Sequence, residues 1–436
     1  MSRACCFYSS QFTSRKLGIK LLRGGALLAC VLALGLGEAL GQPESRITLD
    51  QAIQMALDHN HALRATRTQI QQSQAQELTA AIRPNPTFSF NSLFLPFTAA
   101  TADNINTISE FDVALGYTFE RGGKRQRRIS AARDQTAVTQ SQVADAERTI
   151  VFNVSQQFVN ALLAKANVEL ATQDLASFQQ TVNIGELQYK AGQISEGDFL
   201  KIQLQLLQFQ NDQSQAELSQ VQALAALRQL VGYDSVTPDY QAVGDLQYQP
   251  VTLGLPDLQA KALANRPDLR AAQQGIRAAQ SQYQLARANG KRDLSSTFQY
   301  SHVAGLNTGG LLFSMDIPIF DRNQGEIART RYAITQSDET AREAEEVVLT
   351  DVRNAYESLQ TNAKIIELYQ KGYLKQSQDS RDISAYAYQR GAASLLDFLD
   401  AERSYRAAQL AYRQSLAAYM VSLEQLRQAV GTRSLP

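Results

Sequence analysis

The sequence predicts a mainly α-helical chain with a β-barrel part. It has two internal repeats, each with long antiparallel coiled-coil helices and a pair of membrane-length β-strands. Three observations lead there. The second half repeats the first at a shift of about 200 residues. Proline is absent from 97 to 237 and from 319 to 435. Each half also holds two short segments in which apolar and polar residues alternate.

The N-terminus is set aside first. Arg3, Arg15, Lys16, Lys20 and Arg23 precede an apolar stretch from Ala26 to Leu36 and a small-residue site at Ala39-Leu40-Gly41, the pattern of a secretory signal over 1–41. A rival reading takes Cys30 as an acylated lipoprotein site. Removal of 1–41 takes five basic residues and one acidic residue from a total of 42 each, leaving 37 against 41 and a net charge of −4. Such a chain is no dedicated nucleic-acid binder, whose affinity rests on phosphate neutralisation. Cys5, Cys6 and Cys30 leave with the leader, so the mature chain has neither disulfides nor thiolate metal sites.

Self-similarity organises the rest. Tyr189-x-x-Gly192-x-x-Ser195-x-x-Asp198-Phe199-Leu200 returns as Tyr388-x-x-Gly391-x-x-Ser394-x-x-Asp397-Phe398-Leu399. Leu227, Arg228, Gln229 and Gly232 match Leu426, Arg427, Gln428 and Gly431 at the same shift. The spacing predicts a first repeat over 42–232, a connector over 233–257 with Pro238, Pro250 and Pro256, and a second repeat over 258–436.

Within the proline-free tracts, apolar residues recur at steps of three and four, as in Ile150, Val154, Phe158 and Leu162, and in Val348, Val352, Tyr356 and Leu359. Proline in such a helix would cost about 3 kcal/mol. Helices are expected over 124–190, 197–231, 324–389 and 395–430. The first would be about 100 Å long at 1.5 Å per residue, too long to lie inside a compact domain.

Strands are expected over a hairpin at 87–120, with Phe88, Phe90, Leu93, Leu95 and Phe97 answered by Phe111, Val113, Leu115, Tyr117 and Phe119. A second is expected over 294–320, with Leu294, Ser296, Phe298 and Tyr300, a loop at Gly305–Gly310, then Leu311, Phe313, Met315, Ile317 and Ile319. About ten residues is the length of a tilted strand that crosses a bilayer. Four strands cannot close a barrel, and an open edge in lipid leaves backbone groups unpaired at several kcal/mol each. The strands must be shared between chains.

The repeat, the strands and the helical hairpins together resemble the TolC-like outer-membrane efflux ducts of Gram-negative bacteria. The resemblance covers essentially the whole mature chain. Its carriers are Arg266-Pro267-Asp268-Leu269-Arg270-Ala271-Ala272, Pro318-Ile319-Phe320-Asp321-Arg322-Asn323-Gln324-Gly325-Glu326, and the doubled tip turn. The run from Pro318 to Glu326 is most similar to the cobalt-zinc-cadmium branch. The resemblance implies a passive exit duct for metal cations or small toxic compounds. It implies a homotrimer with a twelve-stranded barrel in the outer membrane, reaching through the periplasm to an adaptor and an inner-membrane pump of the resistance-nodulation-division type. Neither an enzyme activity nor a cofactor is implied.

Site residues follow from the same resemblance. The turns at Tyr189 and Gly192 and at Tyr388 and Gly391 resemble the adaptor-facing tips, although both glycines also read as plain helix C-caps. Asp397 and Asp400 match a pair of aspartates that ring the inner aperture, with Asp198 as the first-repeat counterpart of Asp397. Ser195-x-x-Asp198 and Ser394-x-x-Asp397 are also capping-box patterns. Asp400 lies outside any box, and the first repeat has Lys201 in its place. Ala393 stands where the family has a gating arginine.

Other signals are discounted. His59, His61 and His302 make no metal site, and the run Arg121-Gly122-Gly123-Lys124-Arg125-Gln126-Arg127-Arg128 reads as a strand-to-helix bend at the lipid headgroup level. The alternative from another class is a secreted coiled-coil scaffold or adaptor without a pore. The four alternating strands argue against it.

Overall fold

The computed structural model describes residues 46–94, 101–251 and 254–435. All fall in one unit spanning Ser45–Pro436. The leader, Cys5, Cys6, Cys30, Leu95 and Phe97 lie outside the described residues.

A two-residue strand β1 (Arg46–Ile47) leads into α1 (Leu49–His59) and α2 (His61–Ala81). Thr48 and Gln51 close a capping box on α1. Asn60 ends α1 and caps α2: its Oδ1 accepts from the Leu63 N–H at 2.9 Å and its Nδ2 donates to the Leu230 carbonyl at 2.9 Å. Next come β2 (Thr87–Phe94), a short helix α3 (Ile105–Ile108) and β3 (Glu110–Phe119). The long helices α4 (Lys124–Lys190) and α5 (Glu196–Val231) follow, and β4 (Gln241–Ala242) pairs in parallel with β1.

The second half opens with α6 (Leu255–Asn265) and α7 (Pro267–Asn289). Arg266 takes the place that Asn60 holds. Almost fully buried, its guanidinium donates to Asp268 at 2.5 Å, to Asp351 at 2.9 Å and to the Ala429 carbonyl at 3.4 Å. Pro267 at the first helical turn sacrifices no hydrogen bond, because that N–H has no partner inside the helix. Thus the Arg266-Pro267-Asp268 motif is an architectural joint. The strands β5 (Leu294–Val303) and β6 (Leu306–Ser314) come next. Then follow α8 (Gln324–Leu368), a π-helical turn Tyr369–Tyr373, α9 (Leu374–Gln389) and α10 (Leu395–Val430).

Two expectations are corrected. The helix expected over 324–389 is two helices, because Gly372 adopts φ 145°, which an α-helix cannot contain, and the turn around it widens to a π-helix. The loop expected at Gly305–Gly310 is only Ala304 and Gly305, both at positive φ as in a tight two-residue hairpin. Gly309 and Gly310 therefore belong to β6, and Met315, Ile317 and Ile319 lie beyond its end, where Pro318 has no N–H to donate.

The four long strands form one antiparallel sheet in the order β2-β3-β5-β6. Its register aligns side chains in rows. Phe88, Leu115, Phe298 and Leu311 face one another across all four strands, and Phe90, Val113, Tyr300 and Gly309 form the next row. The opposite face is small and polar, as in Ser89, Ala114, Gln299 and Gly310, or Asn91, Asp112, Ser301 and Thr308. The apolar row is open: Phe88 is 71% exposed and Leu311 66%.

Candidate functional site

The site is built by two helix reversals. At the end of α4, Gly192 turns at φ 70° and the Gln193 N–H donates to the Gln188 carbonyl at 2.8 Å. At the end of α9, Gly391 turns at φ 73° and the Ala392 N–H donates to Ala387 at 2.8 Å. Each is a left-handed stop in which a glycine avoids the Cβ clash. Each helix then restarts on a serine cap: Ser195 Oγ accepts from the Asp198 N–H at 3.1 Å, and Ser394 Oγ from the Asp397 N–H at 3.2 Å. Tyr189 stacks on Phe199 with ring centroids 5.2 Å apart, and Tyr388 on Phe398 at 5.6 Å, both within 5° of parallel.

The aspartates have different surroundings. Asp397 closes a full capping box, accepting from the Ser394 N–H at 3.2 Å and from the Ser394 hydroxyl at 2.8 Å. Asp198 accepts from the Ser195 hydroxyl at 2.9 Å and pairs with Lys201 at 3.0 Å. The Lys201 ammonium first, and the Ser195 hydroxyl after it, hold the Asp198 carboxyl below its ordinary value. Asp400 is exposed and has neither a hydrogen bond nor an ion pair among the described residues. Capping thus occupies Asp397 and Asp198, while Asp400 keeps an unpaired carboxylate.

The two tips pack on each other, which no spacing in the sequence announces. Phe178, Val182, Ile202 and Phe209 of the first hairpin share one core with Leu395 and Phe398 of the second. Between the tips lies a cleft of about 830 Å³, lined among others by Ser195, Asp198, Lys201, Tyr388, Gly391 and Ser394. Tyr189, Gly192, Asp397 and Asp400 do not line it. The Tyr388 hydroxyl is buried without a partner among the described residues; burial, and then the charge of Asp198, push it up.

A charged joint higher up ties the hairpins together. Arg406 of α10 pairs with Asp174 of α4 at 3.1 Å and Asp212 of α5 at 2.6 Å, with its guanidinium 4.2 Å from the centre of the Phe209 ring. Burial pushes the Asp174 carboxyl up, and the Arg406 charge opposes it. Burial also pushes up Glu402, which has no hydrogen-bond partner among the described residues. Sequence reading missed all four. Their one signal was charge at positions that the helical period places toward a neighbour. Among the described residues, no group of three or more His, Cys, Asp or Glu is placed to hold a metal ion.

The family model for the outer membrane efflux protein matches residues 52–233 and 258–432. The chain belongs to the outer membrane efflux protein family. It is 24% identical over 372 residues to the cobalt-zinc-cadmium resistance protein CzcC of Cupriavidus metallidurans, with 84% of this chain and 85% of that one covered. It is 25% identical over 426 residues to the pyoverdine export outer membrane protein OpmQ of Pseudomonas aeruginosa, covering 90% and 85%. A solved CusC structure, from a study of its folding and transmembrane channel formation, superposes with a TM-score of 0.74 at 25% identity, covering 88% and 92%. The resemblance read from the sequence is borne out, metal-resistance branch included. The chain is an outer-membrane efflux protein that extends into the periplasm.

Proposed function

We propose that three copies of the chain pool their strands into one closed twelve-stranded barrel and form a passive exit duct. The carrying observation is the four-stranded sheet itself. Among the described residues its outer strands β2 and β6 each have one unpaired edge, and an apolar row runs across all four strands. A sheet with a lipid-facing side avoids unpaired edges only by closing with its neighbours. The helices support the same reading. Leu200, Leu204 and Leu207, then Leu218 and Val221, follow heptad spacing along α5 and are all exposed, a seam that a second copy covers. A secreted scaffold without a pore has no use for the apolar row.

In this reading Asp397 and Asp400, three of each, ring the periplasmic aperture, with Asp198 beside them. The tips at Tyr189, Gly192, Tyr388 and Gly391 receive a periplasmic adaptor, and a resistance-nodulation-division type pump feeds the duct from the inner membrane. The exposed, unpaired Asp400 supports the aperture assignment. The cargo is metal cations or small toxic compounds; the names of CzcC and CusC support metal cations, while OpmQ is named for pyoverdine export. Mass measurement of the protein purified from outer membranes in detergent tests the assembly. Three chains per particle are expected, and a monomeric, water-soluble product would refute the duct.

A further inference from the structure

The apolar face of the sheet ends, on the helix side, in a ledge of cations. Phe119 and Leu294 face each other as the last paired row of β3 and β5. Two positions beyond them, in the same alternation, stand Arg121 and Arg292. The backbone between is fixed: the Arg121 N–H donates to Asp293 Oδ1 at 2.9 Å, and Lys124 pairs with the same carboxylate at 2.8 Å. Glu120 is taken by Arg128. The Asp293 and Glu120 carboxylates are thus committed, whereas Asp316, exposed beside Met315, has no partner among the described residues.

The ledge cations keep donors in reserve. The exposed Arg121 guanidinium meets only Met315 Sδ at 3.3 Å, a weak acceptor. Arg292 donates one Nη to the Asp321 carbonyl and pairs with the Asp321 carboxylate at 3.8 Å, while its Nε is buried with no acceptor among the described residues. Lys291 is exposed with no ion pair among the described residues, its stem against Gly122. Directly beside them the chain leaving β6 presents Met315, Ile317, Ile319 and Phe320, the last two 62% and 89% exposed.

Unsatisfied guanidinium donors next to bare aliphatic and aromatic surface match an anionic headgroup whose acyl chains lie on the apolar side. The ledge lies on the helix side of the sheet, toward the periplasm. We propose that Arg121, Arg292 and Lys291 bind the phosphate of an anionic phospholipid in the periplasmic leaflet of the outer membrane. The inference rests on the outer-membrane location and adds a specific lipid class and site to it. Bound there, the lipid meets the exposed Arg121 and Lys291 charges and seals the strand-to-helix bend against the bilayer.

The test is native mass spectrometry of the full-length, detergent-solubilised protein titrated separately with phosphatidylglycerol, phosphatidylcholine and inorganic phosphate. Wild type is expected to retain phosphatidylglycerol over phosphatidylcholine. Each neutralised cation should weaken phosphatidylglycerol binding by roughly five-fold, and Arg121→Gln with Arg292→Gln by roughly thirty-fold. The control Arg331→Gln, exposed on α8, should change nothing. Equal retention of both lipids, or unchanged retention in an assembled double variant, would overturn the proposal, as would loss of selectivity in the presence of inorganic phosphate. If the double variant fails to assemble, Arg121→Gln alone gives the reading. The same spectra report the number of chains, so a trimer without lipid selectivity sinks only the lipid site, whereas a monomer sinks the duct.

Discussion

Replacing Arg406 with Met separates the charged joint from its packing. Methionine keeps apolar bulk against Phe209, whose ring centre lies 4.2 Å from the guanidinium, but removes the charge that faces Asp174 and Asp212. The Asp174 side chain is only 9% exposed, so removing its partner strands a buried carboxylate, at a cost of roughly 3–5 kcal/mol. The Asp212 arm is 31% exposed and adds at most about 1 kcal/mol. The sign with pH follows. Burial already raises Asp174 and Arg406 opposes that, so the variant raises it further. The folded state then binds the proton more readily than the unfolded one. Its stability falls as pH rises above the ordinary carboxylate value near 4, and is regained on acidification. Hydrogen exchange of the purified protein reads this locally. After correction for intrinsic rates, amides near 170–178 and 402–410 should exchange at least about a hundred-fold faster at pH 7, with the difference narrowing toward pH 5. Adding Asp174→Asn should recover most of the protection. Unchanged exchange at pH 7, or a deficit that neither acid nor Asp174→Asn relieves, would refute the reasoning.

A Cβ at Gly192 or Gly391 meets nothing within 4 Å, so alanine at either costs only left-handed strain, about 1–2 kcal/mol. Gly391→Leu and Gly192→Leu should therefore assemble as trimers yet abolish efflux in a cellular resistance assay, and normal transport would remove the docking role of the tips. Asp400→Ala should lower cation preference and multivalent-cation block in planar-bilayer conductance, with Asp198→Ala changing them less because Lys201 already neutralises Asp198. Unchanged selectivity in an intact Asp400→Ala trimer would take the aperture role from it. Arg266→Ala should destabilise the joint between α6 and α7 by roughly 1–3 kcal/mol, chiefly because it leaves the buried Ala429 carbonyl unsatisfied, with the half-exposed Asp268 and Asp351 adding little. Thermal unfolding followed by helical signal in detergent checks this; an unchanged transition would contradict it.

Local chemistry made much of this protein legible before any coordinates. Proline-free tracts with three- and four-residue apolar steps contain α4, α5, α8 and α10, because a helix depends on the residues within its own turns. The tip glycines and their serine caps were readable for the same reason, as a left-handed stop and a capping oxygen act over three or four residues. Alternation placed β3 and β5 and the apolar row they share. The Gly372 bulge was a single residue in a tract that otherwise kept its period, and the π-helical turn arises from a backbone angle that no pattern of side chains reveals. The pairing of β3 with β5 brings Leu115 opposite Phe298, so it joins the two halves across a separation that no local signal spans. Tertiary packing alone decided that the two tips share a core, that Arg406 answers two aspartates on two other helices, and that Arg121 and Arg292 stand together with donors to spare. The physical reason is common to all three: a buried charge or an unsatisfied donor is defined by what surrounds it, and those surroundings come from segments far apart in the chain.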